Sequence, residues 1–225
     1  MKKLLMVMSI GLISLSSYGQ QKETRNLGSF DYVAVGESID LILIPGSEEK
    51  AVIEVKGADP DDVETKISGG KLTIGMANGS YRNVTVKATV TFKSMEGLSV
   101  SSSATAVTNG KIKANNFKLS VSSSGSADIE LDAEDLEVRV SSSGRADVRG
   151  SGNDMAVNIS SSGEFNGYDY KSENADVSVS SSGSAKVMVT ENLDARANSS
   201  GKVVYRGTPG KVKVSANSSG KVVKG

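Results

Sequence analysis

The sequence predicts an all-β protein, a single-stranded parallel β-helix (β-solenoid) in which each coil stacks on the next, and three observations carry that prediction. First, the phrase Val-Ser-Ser-Ser-Gly recurs as Val121–Gly125, Val140–Gly144 and Val179–Gly183, and as Ile159–Gly163 with Ile leading. Blurred copies stand at Val100–Ala104, Ala197–Gly201 and Ala216–Gly220. Measured from glycine to glycine, or from Ala104, the steps are 21, 19, 19, 20, 18 and 19 residues, which gives seven coils. A fixed period of this size marks a solenoid, because one such repeat cannot bury its own apolar side. Second, the register holds in columns: Leu98, Leu119, Val138, Val157, Val177, Ala195 and Val214 stand six residues before each marker, and the positions between are polar. Alternation of period two is that of a strand with one buried face, and β-branched residues suit that surface. Third, no stretch of this half shows a helical apolar period.

The elements follow in chain order. Residues 1–19 read as a secretory signal peptide: Lys2 and Lys3, the apolar run Leu4–Leu15, then Ser17-Tyr18-Gly19 as a cleavage site. No other segment is long enough to cross a bilayer as a helix. Cleavage leaves 206 residues with 24 basic against 26 acidic, a net charge of −2 and no basic stripe, which argues against nucleic acid as a partner. Residues 20–97 read as an irregular N-terminal β region that caps the solenoid, with strand candidates such as Phe30–Val35 and Ser38–Ile44 and turns such as Gly36-Glu37 and Gly69-Gly70. A small separate sandwich is the alternative for this stretch. Residues 98–225 are the regular coils. Parity along the strands places Ser102, Ser123 and Ser142 inward, and the following glycine is expected to supply a positive φ at a tight corner. Stacking should bring Lys118 beside Glu137, Arg145 beside Glu164 and Asp194 beside Lys213, with Asp176 beside Asp194 as a like-charge exception.

Phe30-Asp31-Tyr32-Val33-Ala34-Val35, Gly70-Lys71-Leu72-Thr73-Ile74 and the Ser-Ser-Ser-Gly coils behind an exported start resemble one bacterial family, the putative auto-transporter adhesin, head GIN domain family of the Bacteroidetes. The resemblance spans about residues 25–220. It implies a right-handed parallel β-helix and supplies no catalytic residues.

Composition narrows the chemistry. Without histidine or cysteine, Ser-His-Asp and Cys-His nucleophile systems are excluded, as are His- or Cys-based metal sites and disulfides. Ser199-x-x-Lys202 and Ser218-x-x-Lys221 mimic a Ser-Lys pairing but lack the helix on which that spacing works. Asp128 and Asp147 share a column that could take a hard cation, yet Arg145 and Arg149 lie beside it and a solvated face is the simpler reading. No cofactor is expected. The candidate binding face is the outward serines Ser122, Ser124, Ser141, Ser143, Ser160, Ser162, Ser180 and Ser182, together with Tyr168 and Tyr170 in the coil insertion Glu164–Ser172. Partners of that face would be a glycan, an envelope protein or another copy of the chain. The expected function is an exported, non-enzymatic, adhesin-like or assembly protein in the periplasm, at the outer surface or secreted. The alternatives are a carbohydrate-active enzyme, lyase or hydrolase, on the same fold and a purely structural periplasmic scaffold.

Overall fold

The computed structural model describes residues 20–225, so the leader expected over residues 1–19 lies outside the described residues. Strands β1 (Gln21–Asn26), β2 (Tyr32–Val35), β3 (Asp40–Pro45), β4 (Lys50–Lys56), β5 (Val63–Ser68), β6 (Lys71–Met76) and β7 (Thr85–Phe92) come first, with a 3-10 turn at Pro60–Asp62. Then follow β8 (Gly97–Val100), β9 (Thr105–Thr108), β10 (Ile112–Val121), β11 (Ser126–Val140), β12 (Arg145–Ile159), β13 (Glu164–Val179), β14 (Ser184–Ala197), β15 (Lys202–Arg206), β16 (Lys211–Ala216) and β17 (Lys221–Lys224). The chain is an all-β solenoid.

Two ladders run the length of the molecule. One carries the arm before the serine corner, in the order β6, β2, β8, β10, β11, β12, β13, β14, β16, all parallel. The other carries the arm after it, in the order β7, β3, β9, β11, β12, β13, β14, β15, β17, also parallel. Alternation along each strand decides what is buried. Leu98, Leu119, Val138, Val157 and Val177 stack in register and are at most 1% exposed. The expected charge stacking holds: Arg145 meets Glu164 at 2.5 Å and Lys213 meets Asp194 at 3.0 Å. Lys118 stands in register with Glu137, although the Glu137 carboxylate is bridged at 2.6 Å by Arg139 on its own strand. The like-charge pair Asp176 and Asp194 is tolerated because Arg196 bridges both, at 2.9 and 2.7 Å.

One coil lies earlier than the serine phrase indicates. Residues 32–45 hydrogen-bond directly to β8 and β9, and their corner, Gly36-Glu37-Ser38-Ile39, has the geometry of the later ones. Glu37 and Ser38 take φ of 59° and 60°, as the two central serines do at every later corner. The corner escapes a search for serine because Gly-Glu-Ser-Ile satisfies the same backbone with different side chains. The chain then leaves the regular stack. β4 pairs antiparallel with β7, β1 antiparallel with β4, and β5 antiparallel with β6. Arg25 closes that end: its guanidinium donates to the carbonyls of Val63 (2.5 Å) and Pro60 (2.8 Å) and to the Glu23 carboxylate (2.7 Å). That bond holds the Glu23 carboxyl below its ordinary pKa.

The corners correct two expectations. Each is a turn in which the fourth residue donates back to the first, as Gly125 N–H does to Ser122 O at 2.8 Å. Both central residues are left-handed, with φ of 49° and 61° at Ser123 and Ser124, the pattern of a type I′ turn. Positive φ therefore sits on two serines and not on the glycine. The glycine serves close approach instead: a Cβ at Gly125, Gly144, Gly163 or Gly201 would stand 2.7–2.8 Å from a carbonyl oxygen of the neighbouring coil. Ala104 and Ile39, fully buried, occupy the same place in the coils nearest the cap, so those coils accept a side chain there. The two left-handed residues also break the alternation. Ser102, Ser123 and Ser142, expected inward, are exposed.

Candidate binding groove beside the serine corner

The corner serines divide into two rows with different surroundings. Ser122, Ser141, Ser160 and Ser180 open each turn and are half-buried, and their N–H groups donate to Val100, Val121, Val140 and Ile159 of the neighbouring coil at 2.9–3.0 Å. Ser124, Ser143, Ser162 and Ser182 are exposed at the apex, and their N–H groups donate the other way, to Ser142, Ser161, Ser181 and Ser199, at 3.0–3.1 Å. The backbone of the corner is thus spoken for in both directions, while most hydroxyls remain free to bond elsewhere. Ser180 is one exception, its hydroxyl donating to Ile159 O at 3.4 Å.

Three serines of the half-buried row, Ser141, Ser160 and Ser180, line a groove of about 540 Å³ that runs across the coils. Asn198 extends that rail, and the facing rail is Ser120, Arg139, Asn158 and Ser178. Between the rails runs the strand at Val140, Ile159 and Val179, whose side chains are buried in the core. The second rail escaped the sequence reading, although it is a visible column two residues before each corner. Its signal is polarity repeated at coil spacing without the serine phrase. Chemically the groove offers hydroxyls, side-chain amides and one guanidinium, with no carboxylate among its lining residues. The exposed apex serines do not line it.

The insertion carries two tyrosines with separate fates. Its extra residues appear as register shifts in β13 against both β12 and β14, between Asn166 and Asp169 on one side and between Gly167 and Lys171 on the other. Tyr168 lies half-buried on the surface under the Arg206 guanidinium, 4.0 Å from its ring centre, with Lys186 at 5.7 Å. Tyr170, expected on the binding face, is instead fully buried. It stands in register with Gly150, and its hydroxyl reaches past Gly152 of β12 to donate to Ala133 O on β11 at 3.1 Å. Burial pushes its phenol far above the ordinary tyrosine range, against the pull of that hydrogen bond. Tyr170→Phe should cost about 1–3 kcal/mol by leaving the Ala133 carbonyl unpaired, read as a lowered denaturation midpoint. An unchanged midpoint would show that water reaches that carbonyl.

The carboxylates are drawn into ladders. Arg149 pairs with Asp128 at 2.5 Å, and Asn166 donates to Asp147 at 2.8 Å. Among the described residues no group of three or more His, Cys, Asp or Glu is placed to hold a metal ion. A second, longer groove of about 680 Å³ lies further from the serine corner on the same arm and does contain carboxylates, Asp135, Glu137, Asp154, Asp176 and Asp194. Most are engaged: Asn174 donates to Asp154 at 2.8 Å, and Glu137, Asp176 and Asp194 meet the arginines already named. None of the described helices is long and apolar enough to cross a membrane.

Comparison with known proteins supports the architecture. A crystal structure of a putative adhesin from Bacteroides fragilis superposes with a TM-score of 0.82 at 16% identity, covering 92% of this chain and 97% of that one. A putative lipid binding protein from Parabacteroides distasonis gives 0.70 at 20% identity, covering 92% and 96%. A putative adhesin from Parabacteroides merdae gives 0.68 at 16% identity, covering 92% and 96%. At these identities the likeness is one of fold. No curated protein matches the sequence. Residues 29–209, most of the chain, match the family described as putative auto-transporter adhesin, head GIN domain, and the chain belongs to this family.

Proposed function

We propose that the protein is an exported, non-catalytic, adhesin-like solenoid that holds a repetitive polar partner, a glycan chain above all, in the groove beside the serine corner. The observation that supports this reading is the pair of polar rails, Ser141, Ser160, Ser180 and Asn198 facing Ser120, Arg139, Asn158 and Ser178, repeated once per coil. Coils about 4.8 Å apart present the same donors and acceptors again and again. Each hydroxyl bond contributes only about 1 kcal/mol net, so a partner that repeats gains by engaging several at once. Hydroxyls and amides with no carboxylate or histidine among them suit holding better than bond cleavage.

The two serine rows supply an internal control. The triple variant Ser141→Ala, Ser160→Ala, Ser180→Ala should lose at least about tenfold in glycan or cell-surface binding, if each lost bond is worth roughly half to one kcal/mol. The apex variant Ser143→Ala, Ser162→Ala, Ser182→Ala should bind as the parent does. Equal binding by all three proteins on a glycan array would make the serines corner packing alone, and degradation of a polysaccharide by the parent would favour the enzyme. Export rests on the leader: protein recovered from the envelope should begin at Gln20 on N-terminal sequencing, and an intact Met1 would overturn that part of the reading.

A further inference from the structure

Tyr168 and the cations around it lie across the serine corner from the groove and take no part in it. Lys186 on β14, Lys202 and Arg206 on β15 and Lys221 on β17 are exposed. They alternate with the fully buried Ala185, Val187 and Val203, and Lys221 stands in register with Lys202, so all four point outward on the arm after the corner. Their side chains project sideways from the strands and not along the stacking axis, so a coil stacked at either end would leave them uncovered. Lys186 stands beside Val204, between Lys202 and Arg206. Like charges stacked in register, as Lys202 is on Lys221, oppose folding. In the preceding coils charges on the same face are matched, Arg145 by Glu164 and Arg149 by Asp128. Here they are not. Among the described residues none of the four cations pairs with a carboxylate. Ser184–Thr190, Lys202–Arg206 and Lys221–Lys224 contain no acidic residue, and Ser184 stands between Glu164 and Lys202. Asp169, next to Tyr168, is in register with Arg149 on the far side.

We propose that this face is a second binding site, one for an acidic polysaccharide whose carboxylate or sulfate groups supply the negative charge that the fold leaves out. Tyr168 is what makes it more than a scatter of lysines. The extra residues of β13 put its ring beneath the Arg206 guanidinium, 4.0 Å from the ring centre, with Lys186 at 5.7 Å. A guanidinium stacked on an aromatic face is held flat, and its N–H edges stay open to an oxyanion in the two-pronged geometry that arginine offers and lysine does not. Holding it in place before the ligand arrives lowers the ordering cost of binding. The lysines then follow the coil step of about 4.8 Å along a flat strand face, which suits an extended polymer carrying repeated charges. A bilayer is the poorer partner, because the aromatic ring lies under Arg206 and is not free to enter a lipid interface. The inference stands on this face alone and does not require the serine groove.

Surface plasmon resonance of the purified protein over immobilised polygalacturonate, dextran sulfate and neutral dextran tests it. The protein should bind one or both of the charged polymers and not dextran, and binding should weaken as salt screens the exposed charges. Which polymer is held tells carboxylate from sulfate. Lys186→Gln with Lys202→Gln and Lys221→Gln should bind at least about tenfold more weakly, as expected when several exposed charge contacts are lost together. The same charge change made elsewhere, at the exposed Lys56, Lys113 and Lys118, should leave binding within about twofold of the parent. Tyr168→Leu, which keeps every charge, should weaken binding about two- to fivefold, and so should Arg206→Lys. The second of these leaves the tyrosine in place and decides the matter if the first unfolds. The groove variant Ser141→Ala, Ser160→Ala, Ser180→Ala should bind both charged polymers as the parent does, so this site and the groove are tested apart. Failure of the parent to bind either charged polymer overturns the proposal. So does an equal loss in the two lysine variants, which would mean attraction to net charge alone, or undiminished binding by Arg206→Lys. Binding to vesicles of phosphatidylglycerol and phosphatidylcholine but to neither polymer would overturn it in favour of a membrane contact.

Discussion

Val140→Asp should unfold or severely destabilise the protein, while Arg139→Asp, one residue earlier, should leave it almost unchanged. Val140 is 1% exposed and lies in register between Val121 and Ile159, so its side chain has apolar neighbours from the coils on both sides. An aspartate there has no partner within reach. It would either stay charged in a dry core or protonate, and the cost is several kcal/mol either way, at the top of the range for point mutants. Arg139 points outward, with its side chain 70% exposed, and loses only a surface pair with Glu137. Such pairs contribute under about 1 kcal/mol. Urea denaturation midpoints separate the two outcomes, and equal midpoints would refute the alternation on which the whole architecture rests. Coil stacking adds a second signature. A break at this column interrupts both neighbouring interfaces, so unfolding of Val140→Asp should lose cooperativity, as in other one-dimensional arrays.

Gly152→Ala should cost about 2–5 kcal/mol, from overpacking and a broken buried hydrogen bond together. A Cβ at Gly152 would stand 2.0 Å from the Ala133 carbonyl oxygen and 2.2 Å from the Tyr170 hydroxyl, so it strikes both partners of one bond. The backbone of β11 cannot yield at Ala133 without disturbing its ladder with β10, where Ala133 pairs with Ala114, and Tyr170 cannot yield without leaving a buried oxygen unpaired. Gly210→Ala is the control, since the nearest atom to its Cβ, Glu191 O, is 3.8 Å away. It should stay within about 0.5 kcal/mol, as surface changes do. In a Tyr170→Phe background the Gly152→Ala penalty should shrink, a coupling of at least about 0.5 kcal/mol expected for residues in contact. Additive effects would show that Ala133 alone resists the methyl group.

Much of the fold was legible because its causes are local and repeated. The valine columns, the coil spacing and the pairing of Arg145 with Glu164 all follow from period two within a strand and a fixed step between strands. The corner was legible in position but not in mechanism. Reading Gly144 as the positive-φ residue relied on what glycine usually does, whereas Ser142 and Ser143 carry the left-handed backbone at φ of 49° and 61°. Glycine is demanded by the Val121 carbonyl of the neighbouring coil, an atom 23 residues away in sequence whose approach no local rule reveals. Tyr170 was misplaced for a related reason. An aromatic in an insertion looks exposed until Gly152, a coil earlier, is seen to leave room for its hydroxyl.

By itself, then, the sequence determined the class of fold, the register of its coils, which side of each strand is apolar and the absence of histidine or cysteine chemistry. Those properties need only the alternation of residue types and their recurrence. The tertiary structure alone decided that the turn expected at Gly36-Glu37 is a corner of the same stack, that Arg25 ties β1 to the 3-10 turn, and that Ser141, Ser160 and Ser180 face a groove while Ser143, Ser162 and Ser182 do not. Each of these depends on which coil lies next in space. In the cap, where β2 and β3 stack between β6–β7 and β8–β9, that order departs from the order of the chain.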